Sequence, residues 1–260
     1  MTRYWVQTFL EAQAAELDAA TNTQLAYARD LKDFGGWLDT RNLDFSTAAR
    51  SDIEDYLVFC DAQGLARSTR ARRLSAIRQL YRFAFEEGWR TDNPAIQIKG
   101  PGRDAKLPKT LSVPEIDALL GAAQEHGRSK SDRLRNTCLL ELLYATGMRV
   151  SELVTLPVSA ARGDPRMLLV KGKGGKERMV PLSPPARDAL RAWLALRDTQ
   201  EDEARARGAS ASAFLFPSRG KSGHLTRHRF YMLIKELAVA GGVSPDKVTP
   251  HTLRHAFATH

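Results

Sequence analysis

The sequence predicts a mainly α-helical protein with one small β-sheet, an α+β fold in two domains, and three observations predict it. Apolar residues recur at helical spacing through most of the chain, two short β-rich runs flank a glycine- and lysine-rich turn, and a stretch punctuated by proline and glycine near residue 100 separates halves of different charge. With 43% hydrophobic and 27% charged residues over 260 positions, the chain can both bury a core and cover it, which excludes a disordered polymer.

In the first part, helical periodicity runs from Tyr4 to Leu17 and from Leu25 to Leu38. Ser51-Asp-Ile-Glu54 reads as a capping box that opens a third helix, and a fourth extends from about Ser68 to Glu87. On this fourth helix Leu74, Ile77, Tyr81 and Ala84 share the side that should face a core, while Arg72, Ser75, Gln79 and Arg82 fall on the other. Between Leu65 and Phe85 there are six arginines and no acid. Long guanidinium side chains suit phosphates and guanine edges, yet a solvated arginine-rich face has the same pattern, and both readings stay open.

From Asn93-Pro94 to Thr110 no regular period survives, because Pro94, Gly100, Pro101, Gly102 and Pro108 interrupt it. The expected organisation is therefore a helical domain over 1–92, a linker over 93–110 and a second domain over 111–260. Residues 1–100 hold 13 Lys and Arg against 14 Asp and Glu, leaving 26 against 16 for the rest, so the net charge of +9 belongs to the second part. A polyanionic partner follows, nucleic acid first and an anionic membrane surface second.

The second part opens with another capping box, Ser112-Val-Pro-Glu115, and a helix to about Ala123; a mostly apolar helix follows from Arg135 to Tyr144. Met167–Val170 and Arg178–Leu182 have strand composition, with Lys171-Gly-Lys-Gly-Gly-Lys176 as the hairpin turn. Ser183-Pro-Pro caps a helix reaching about Arg197, and Gln200–Ser212 reads as a polar connection. A helix from Thr226 ends at Gly241-Gly242, and Thr249-Pro250 caps the last one.

No apolar run approaches the roughly 20 residues of a spanning helix, and the N-terminus is amphipathic, with Glu11 and Glu16, rather than a plain apolar leader. A cytoplasmic location is expected. Cys60 and Cys138 lie far apart within apolar helical patterns, so they read as small core residues and not as a metal half-site or a disulfide.

Three segments carry chemistry: Ala145-Thr-Gly-Met-Arg-Val-Ser-Glu-Leu153, Gly172-Lys-Gly-Gly-Lys-Glu-Arg178 and His251-Thr-Leu-Arg-His-Ala-Phe-Ala-Thr-His260. By themselves they admit ordinary readings. Arg149 and Glu152 fit an i, i+3 helix ion pair, and Lys173 is one of several lysines in a turn. His251 and His255 make half a metal site, but no glutamate, cysteine or further acid completes it. The glycine-rich turn is no phosphate-binding P-loop, because Lys176 is followed by Glu177.

Taken together, in this order and at this spacing, the three segments resemble the catalytic-domain signatures of the tyrosine recombinases of the Xer family, most closely its XerD branch. The resemblance covers the whole chain. It implies a SAM-like helical core-binding domain followed by a tyrosine-recombinase catalytic domain, closing as a C-shaped clamp on DNA. By position in the motifs, Arg149 matches the first catalytic arginine, Lys173 the hairpin lysine, His251 and Arg254 the His-x-x-Arg pair, and Glu152 a supporting acid. Enzymes of this family cut DNA by attack of a tyrosine on a phosphodiester, which leaves a 3′-phosphotyrosyl link and a free 5′-hydroxyl. Two planar guanidiniums can hold the charge that builds on the non-bridging oxygens, so neither metal nor other cofactor is implied. Lys173 would protonate the leaving 5′-oxygen.

The resemblance further implies double-stranded DNA recombination sites, a sister Xer recombinase in a heterotetramer and an FtsK-type DNA translocase as partners, in the resolution of chromosome dimers. Candidate DNA contacts are Arg72, Ser75, Arg78, Gln79 and Arg82 on the fourth helix, with Lys176 and Arg178 on the hairpin. One departure stands out. The family's nucleophile lies after the His-x-x-Arg helix, whereas all six tyrosines here, Tyr4, Tyr27, Tyr56, Tyr81, Tyr144 and Tyr231, precede it. Tyr231 is expected to pack within its helix layer. This segment is thus expected to bind DNA without cutting it; a mobile-element integrase and a DNA-binding factor that has lost catalysis are the competing readings.

Overall fold

A computed structural model of the protein describes residues 2–16, 21–102, 110–163, 166–172 and 175–259, and these fall into two compact units, Met1–Ala105 and Lys106–His260. Lys173 lies outside the described residues.

The first unit is four helices: α1 (Thr2–Glu16), α2 (Thr21–Asp39), α3 (Arg50–Ala62) and α4 (Arg67–Glu86). Their apolar stripes meet in one core containing Phe9, Leu31, Phe34, Leu38, Ile53, Leu74, Ile77 and Tyr81. Aromatic rings supply much of its area, with Phe34 against Tyr56 at 4.8 Å and Trp37 against Tyr56 at 5.4 Å between centroids. The start of α3 differs from the expectation. Ser51 is not the cap: the helix begins at Arg50, and the Asp52 carboxylate accepts from the Ala49 N–H at 2.8 Å. The chain is already fixed upstream, where the Asp44 carboxylate accepts from the N–H groups of Ser46 and Thr47, so the short Asp52 side chain takes the N3 role.

The second unit holds α5 (Val113–Glu125), α6 (Lys130–Thr146), the short α7 (Val150–Val154), strands β1 (Met167–Lys171) and β2 (Glu177–Pro181), then α8 (Pro184–Ala206), α9 (Arg227–Ala240) and α10 (Pro250–Thr259). Central in it is α6, which packs against α5, α7, α8, α10 and β2. That position explains its composition: Cys138, Leu139, Leu140, Leu142 and Leu143 are all buried, so the helix is apolar on nearly every side. Its start lies five residues before Arg135, because Ser129 Oγ accepts from the Asp132 N–H at 3.0 Å and caps a polar first turn that periodicity does not reveal.

The Ser112 capping box of α5 and the Thr226 cap of α9 form as the sequence predicts. By contrast, α8 does not stop near Arg197 but continues to Ala206. Arg197 is buried and its guanidinium bonds Glu201 at 2.5 Å and the carbonyls of Ser212 and Phe214, so a charge that reads as a surface helix end anchors the helix as it continues.

β1 and β2 pair antiparallel with Val170 opposite Arg178 and Lys171 opposite Glu177. Leu168 and Val170 face the core while Lys171 and Glu177 face outward. No helix among the described residues is long and apolar enough to cross a membrane.

Candidate active site

Two segments far apart in sequence meet at Glu152, and a third packs on the turn beside them. Gly147 ends α6 in the left-handed conformation, φ +56°, and the turn it makes places Arg149 as the residue that caps α7. From α7 the Glu152 carboxylate reaches back. Its Oε2 accepts from the Arg149 backbone N–H at 2.8 Å and its Oε1 from Arg149 Nη1 at 3.0 Å. The ion pair that spacing suggests is present, but it sits at the helix entry and not along a helix face.

The hairpin joins at the same carboxylate. Arg178 on β2 donates through Nη2 to Oε2 at 2.9 Å and through Nη1 to Oε1 at 3.3 Å. Gly172, whose N–H closes the turn on Lys176 O at 2.7 Å, lies so near that a Cβ there would come within 3.2 Å of Arg178 Nη1 and 3.5 Å of Glu152 Oε1. Glu152 is only 6% exposed, whereas Arg149 is 56% and Arg178 40% exposed. Burial alone would raise its pKa. The hydrogen bonds from Arg178 and from Arg149 outweigh that and hold the carboxyl down at about 2. One buried anion thus orients two cations toward solvent, leaving the group with net positive charge.

α10 brings the third segment. Thr249 and Thr252 cap its start reciprocally, Thr252 N–H to Thr249 Oγ1 at 3.1 Å and Thr249 N–H to Thr252 Oγ1 at 2.8 Å. Leu253 and Ala256 bury one face of the helix, and α10 docks on α6. The docking includes Phe257, whose ring lies where a Cβ on Gly147 would fall, 2.3 Å from such an atom. Contact with Gly147 therefore places the His251–Arg254 helix beside the turn that carries Arg149. His251 is exposed and Arg254 half-buried. Arg254 Nη1 is buried and has no hydrogen-bond partner among the described residues.

Of the four motif positions, Arg149 lies just after the Gly147 turn, His251 and Arg254 lie on the helix that packs on that turn, and Lys173 falls outside the described residues. Among the described residues no three His, Cys, Asp or Glu gather as a metal-ligand group. Tyr231 does not pack inward as expected: it is 40% exposed on α9, with Lys235 Nζ 5.1 Å from its ring centre.

In the first unit the arginines of α4 are largely tied to the domain itself. Arg70 pairs with Asp61 at 2.9 Å, Arg72 with the buried Asp30, and Arg73 with Asp33 and the Tyr56 hydroxyl. Arg78 donates to the Ile98 carbonyl, Arg82 pairs with Glu86 at 2.8 Å, and Ser75 and Tyr27 share a hydroxyl contact at 3.3 Å. Gln79 is half-buried, and Lys176 stands exposed at the hairpin. The Glu152–Arg178 and Gly147–Phe257 contacts escape sequence reasoning, for they join residues 26 and 110 positions apart. A glycine after a helix predicts a left-handed cap at Gly147, but not what packs on it.

Comparison with known proteins is consistent over both units. Residues 109–260 match the phage integrase family and residues 6–88 match the phage integrase N-terminal SAM-like domain. The tyrosine recombinase XerD of Caulobacter vibrioides is 46% identical over 256 residues, covering 98% of this chain and 82% of that protein. XerD of Bradyrhizobium diazoefficiens is 48% identical over 259 residues, covering 97% of this chain and 81% of that protein. Among solved structures, the XerH site-specific recombinase bound to palindromic difH substrate in a post-cleavage complex aligns with a TM-score of 0.73 at 22% identity, covering 100% of this chain and 73% of that one. A lambda integrase dimer bound to a COC′ core site aligns with a TM-score of 0.69 at 18% identity, covering 99% of this chain and 88% of that one. These two show a shared fold. The chain belongs to the phage integrase family, as a site-specific tyrosine recombinase of the XerD type, an enzyme class that cuts and rejoins DNA strands.

Proposed function

We propose that the chain binds a short double-stranded recombination site and holds the scissile phosphate between Arg149 and Arg254. The observation that carries this is the exposed Arg149 guanidinium, steered by Glu152 and placed just after the Gly147 turn on which the helix that carries Arg254 packs. Both are permanently charged and planar, suited to the non-bridging oxygens of a pentavalent phosphorus. His251, in the first turn of α10, lies at the positive end of that helix, where a phosphate is favoured. Lys173 is the proposed acid for the leaving 5′-oxygen, and none of the six tyrosines of residues 1–260 follows the His251–Arg254 motif, where the family places its nucleophile.

Likeness to XerD relatives along nearly the entire chain supports a finer reading. In it the protein acts in the cytoplasm with a sister Xer recombinase in a heterotetramer, under an FtsK-type DNA translocase, and resolves chromosome dimers. On DNA, Lys176 contacts the phosphate backbone, and Gln79 is the α4 side chain proposed to read a base edge.

Binding across a salt series tests the phosphate-holding role. The chain should prefer a recombination-site duplex to random duplex, with a steep salt slope, and the Arg149→Ala/Arg254→Ala double variant should flatten that slope by about 0.9, the loss of one neutralised phosphate. Binding that is insensitive to salt, or a double variant with an unchanged slope, contradicts it.

A further inference from the structure

We infer that Arg178 is a positioning residue for strand cleavage: it acts through Glu152 to set the orientation of Arg149, and it does not contact the DNA backbone. The inference rests on the proposed role of Arg149 and deepens it.

Four donors fill one carboxylate. Oε1 takes Arg149 Nη1 at 3.0 Å and Arg178 Nη1 at 3.3 Å; Oε2 takes the Arg149 N–H at 2.8 Å and Arg178 Nη2 at 2.9 Å. A carboxylate has about four lone-pair directions, so its capacity is used up, and each arginine bonds both oxygens. Arg178 grips with both terminal nitrogens in a fork, the most direction-specific pairing open to it. Arg149 uses only one of its two. That asymmetry separates the pair. Arg178 has given both terminal nitrogens to the protein, whereas Arg149 keeps Nη2 and Nε without a hydrogen bond among the described residues.

The location of Arg178 extends this. It lies on β2 opposite Val170, a buried residue of β1, and Gly172 at the turn packs closely against its guanidinium, 3.2 Å from where a Cβ would fall. The fork therefore fixes the hairpin to α7 and, through the same two oxygens, to the cap that carries Arg149. Without Arg178 the carboxylate has two vacant acceptor directions, is held by Arg149 alone and is no longer tied to the hairpin. Arg149 Nη1 would follow Oε1, and Arg149 would lose its single orientation at the phosphate. A surface lysine or arginine whose charge serves only to attract DNA would need none of this saturation.

Strand cleavage by the full-length gene product on a nicked recombination site decides the matter. Arg178→Met should slow single-turnover cleavage by roughly 10- to 100-fold while site affinity stays within about twofold and the salt slope is unchanged. Arg178→Lys, a point charge that cannot fork, should restore only part of the rate. The decisive readout is a methylphosphonate at the scissile position, which removes the charge the arginines neutralise. On it the defects of Arg178→Met and of Arg149→Ala should shrink together. A salt slope lower by about 0.9 in Arg178→Met would make Arg178 a direct phosphate contact and overturn the inference. So would a cleavage defect of equal size on phosphate and methylphosphonate, which would mean damage to the fold alone. If Arg149→Ala itself cleaves normally, the role of Arg149 fails first and the inference falls with it.

Discussion

The phenyl ring of Phe257 occupies the space that a side chain on Gly147 would need, 2.3 Å from the Cβ such a side chain would bring. Gly147 also holds a left-handed φ of +56°. Two separate constraints thus demand glycine there, one from the backbone and one from α10. Gly147→Ala should destabilise the second unit by roughly 2–4 kcal/mol, about 1–2 from the left-handed backbone and the remainder from overpacking. Adding Phe257→Ala should recover the overpacking share and leave the backbone share. Denaturant melts of the two single variants and the double variant measure this as a double-mutant cycle, and strict additivity would mean that the ring and the glycine do not interact.

The buried Glu152 links the same region to pH. Its folded-state pKa of about 2 lies below the ordinary glutamate value of 4.5, so its contribution to stability is complete above pH 4.5 and is lost as pH falls toward 2. The size is on the order of 3 kcal/mol. Glu152→Gln, which cannot carry the charge, should be less stable than the parent at pH 7 by a comparable amount, and the gap should close between pH 4.5 and 2. Chemical denaturation at several pH values checks it.

Arg72 and Gln79 share α4 but should fail in different ways. Arg72 pairs with Asp30, which is 3% exposed and whose carboxyl is raised above the ordinary value because burial outweighs the pull of Arg72. Arg72→Ala would strand that acid and should cost the first unit roughly 1–3 kcal/mol, with the Asp30→Asn/Arg72→Ala double variant milder than the single. Gln79→Ala should leave the melting temperature unchanged and relax sequence discrimination at one position of the DNA site. Thermal melts paired with binding to a set of single-base variants of the site separate the two.

Lys176, exposed beside the hairpin turn, should behave as a backbone contact. Lys176→Ala is expected to weaken binding to every duplex alike and lower the salt slope by about 0.9. Loss confined to the recombination site would assign it to base reading.

What could be read from the sequence was whatever is local. Helix periodicity, the Ser112 and Thr226 caps and the two short strands depend on neighbours within a few residues, and the caps and the strand pair form where the sequence places them. Errors arose where a charged residue takes a role its type does not announce. Arg197 reads as a surface helix end yet is buried on Glu201 and two carbonyls, which carries α8 to Ala206; Asp52 replaces Glu54 as the acid of a cap. At the site the motif residues themselves were legible, but their organiser was not. Nothing in the spacing of Glu152 and Arg178 shows that one carboxylate joins the hairpin to Arg149, and the six arginines of α4 give no sign that acids of α2 and α3 hold three of them.

Trapping of a covalent protein–DNA adduct tests most directly whether Arg149 and Arg254 hold the scissile phosphate. The full-length gene product would be incubated with a recombination site nicked next to the point of cleavage, alongside Arg149→Ala and Arg254→Ala. A 3′-linked adduct that forms with the parent and falls by at least 100-fold in either variant, at DNA occupancy held equal, is the predicted result. An adduct that forms at the parental rate without Arg149 and Arg254, or no adduct from the parent, would contradict it.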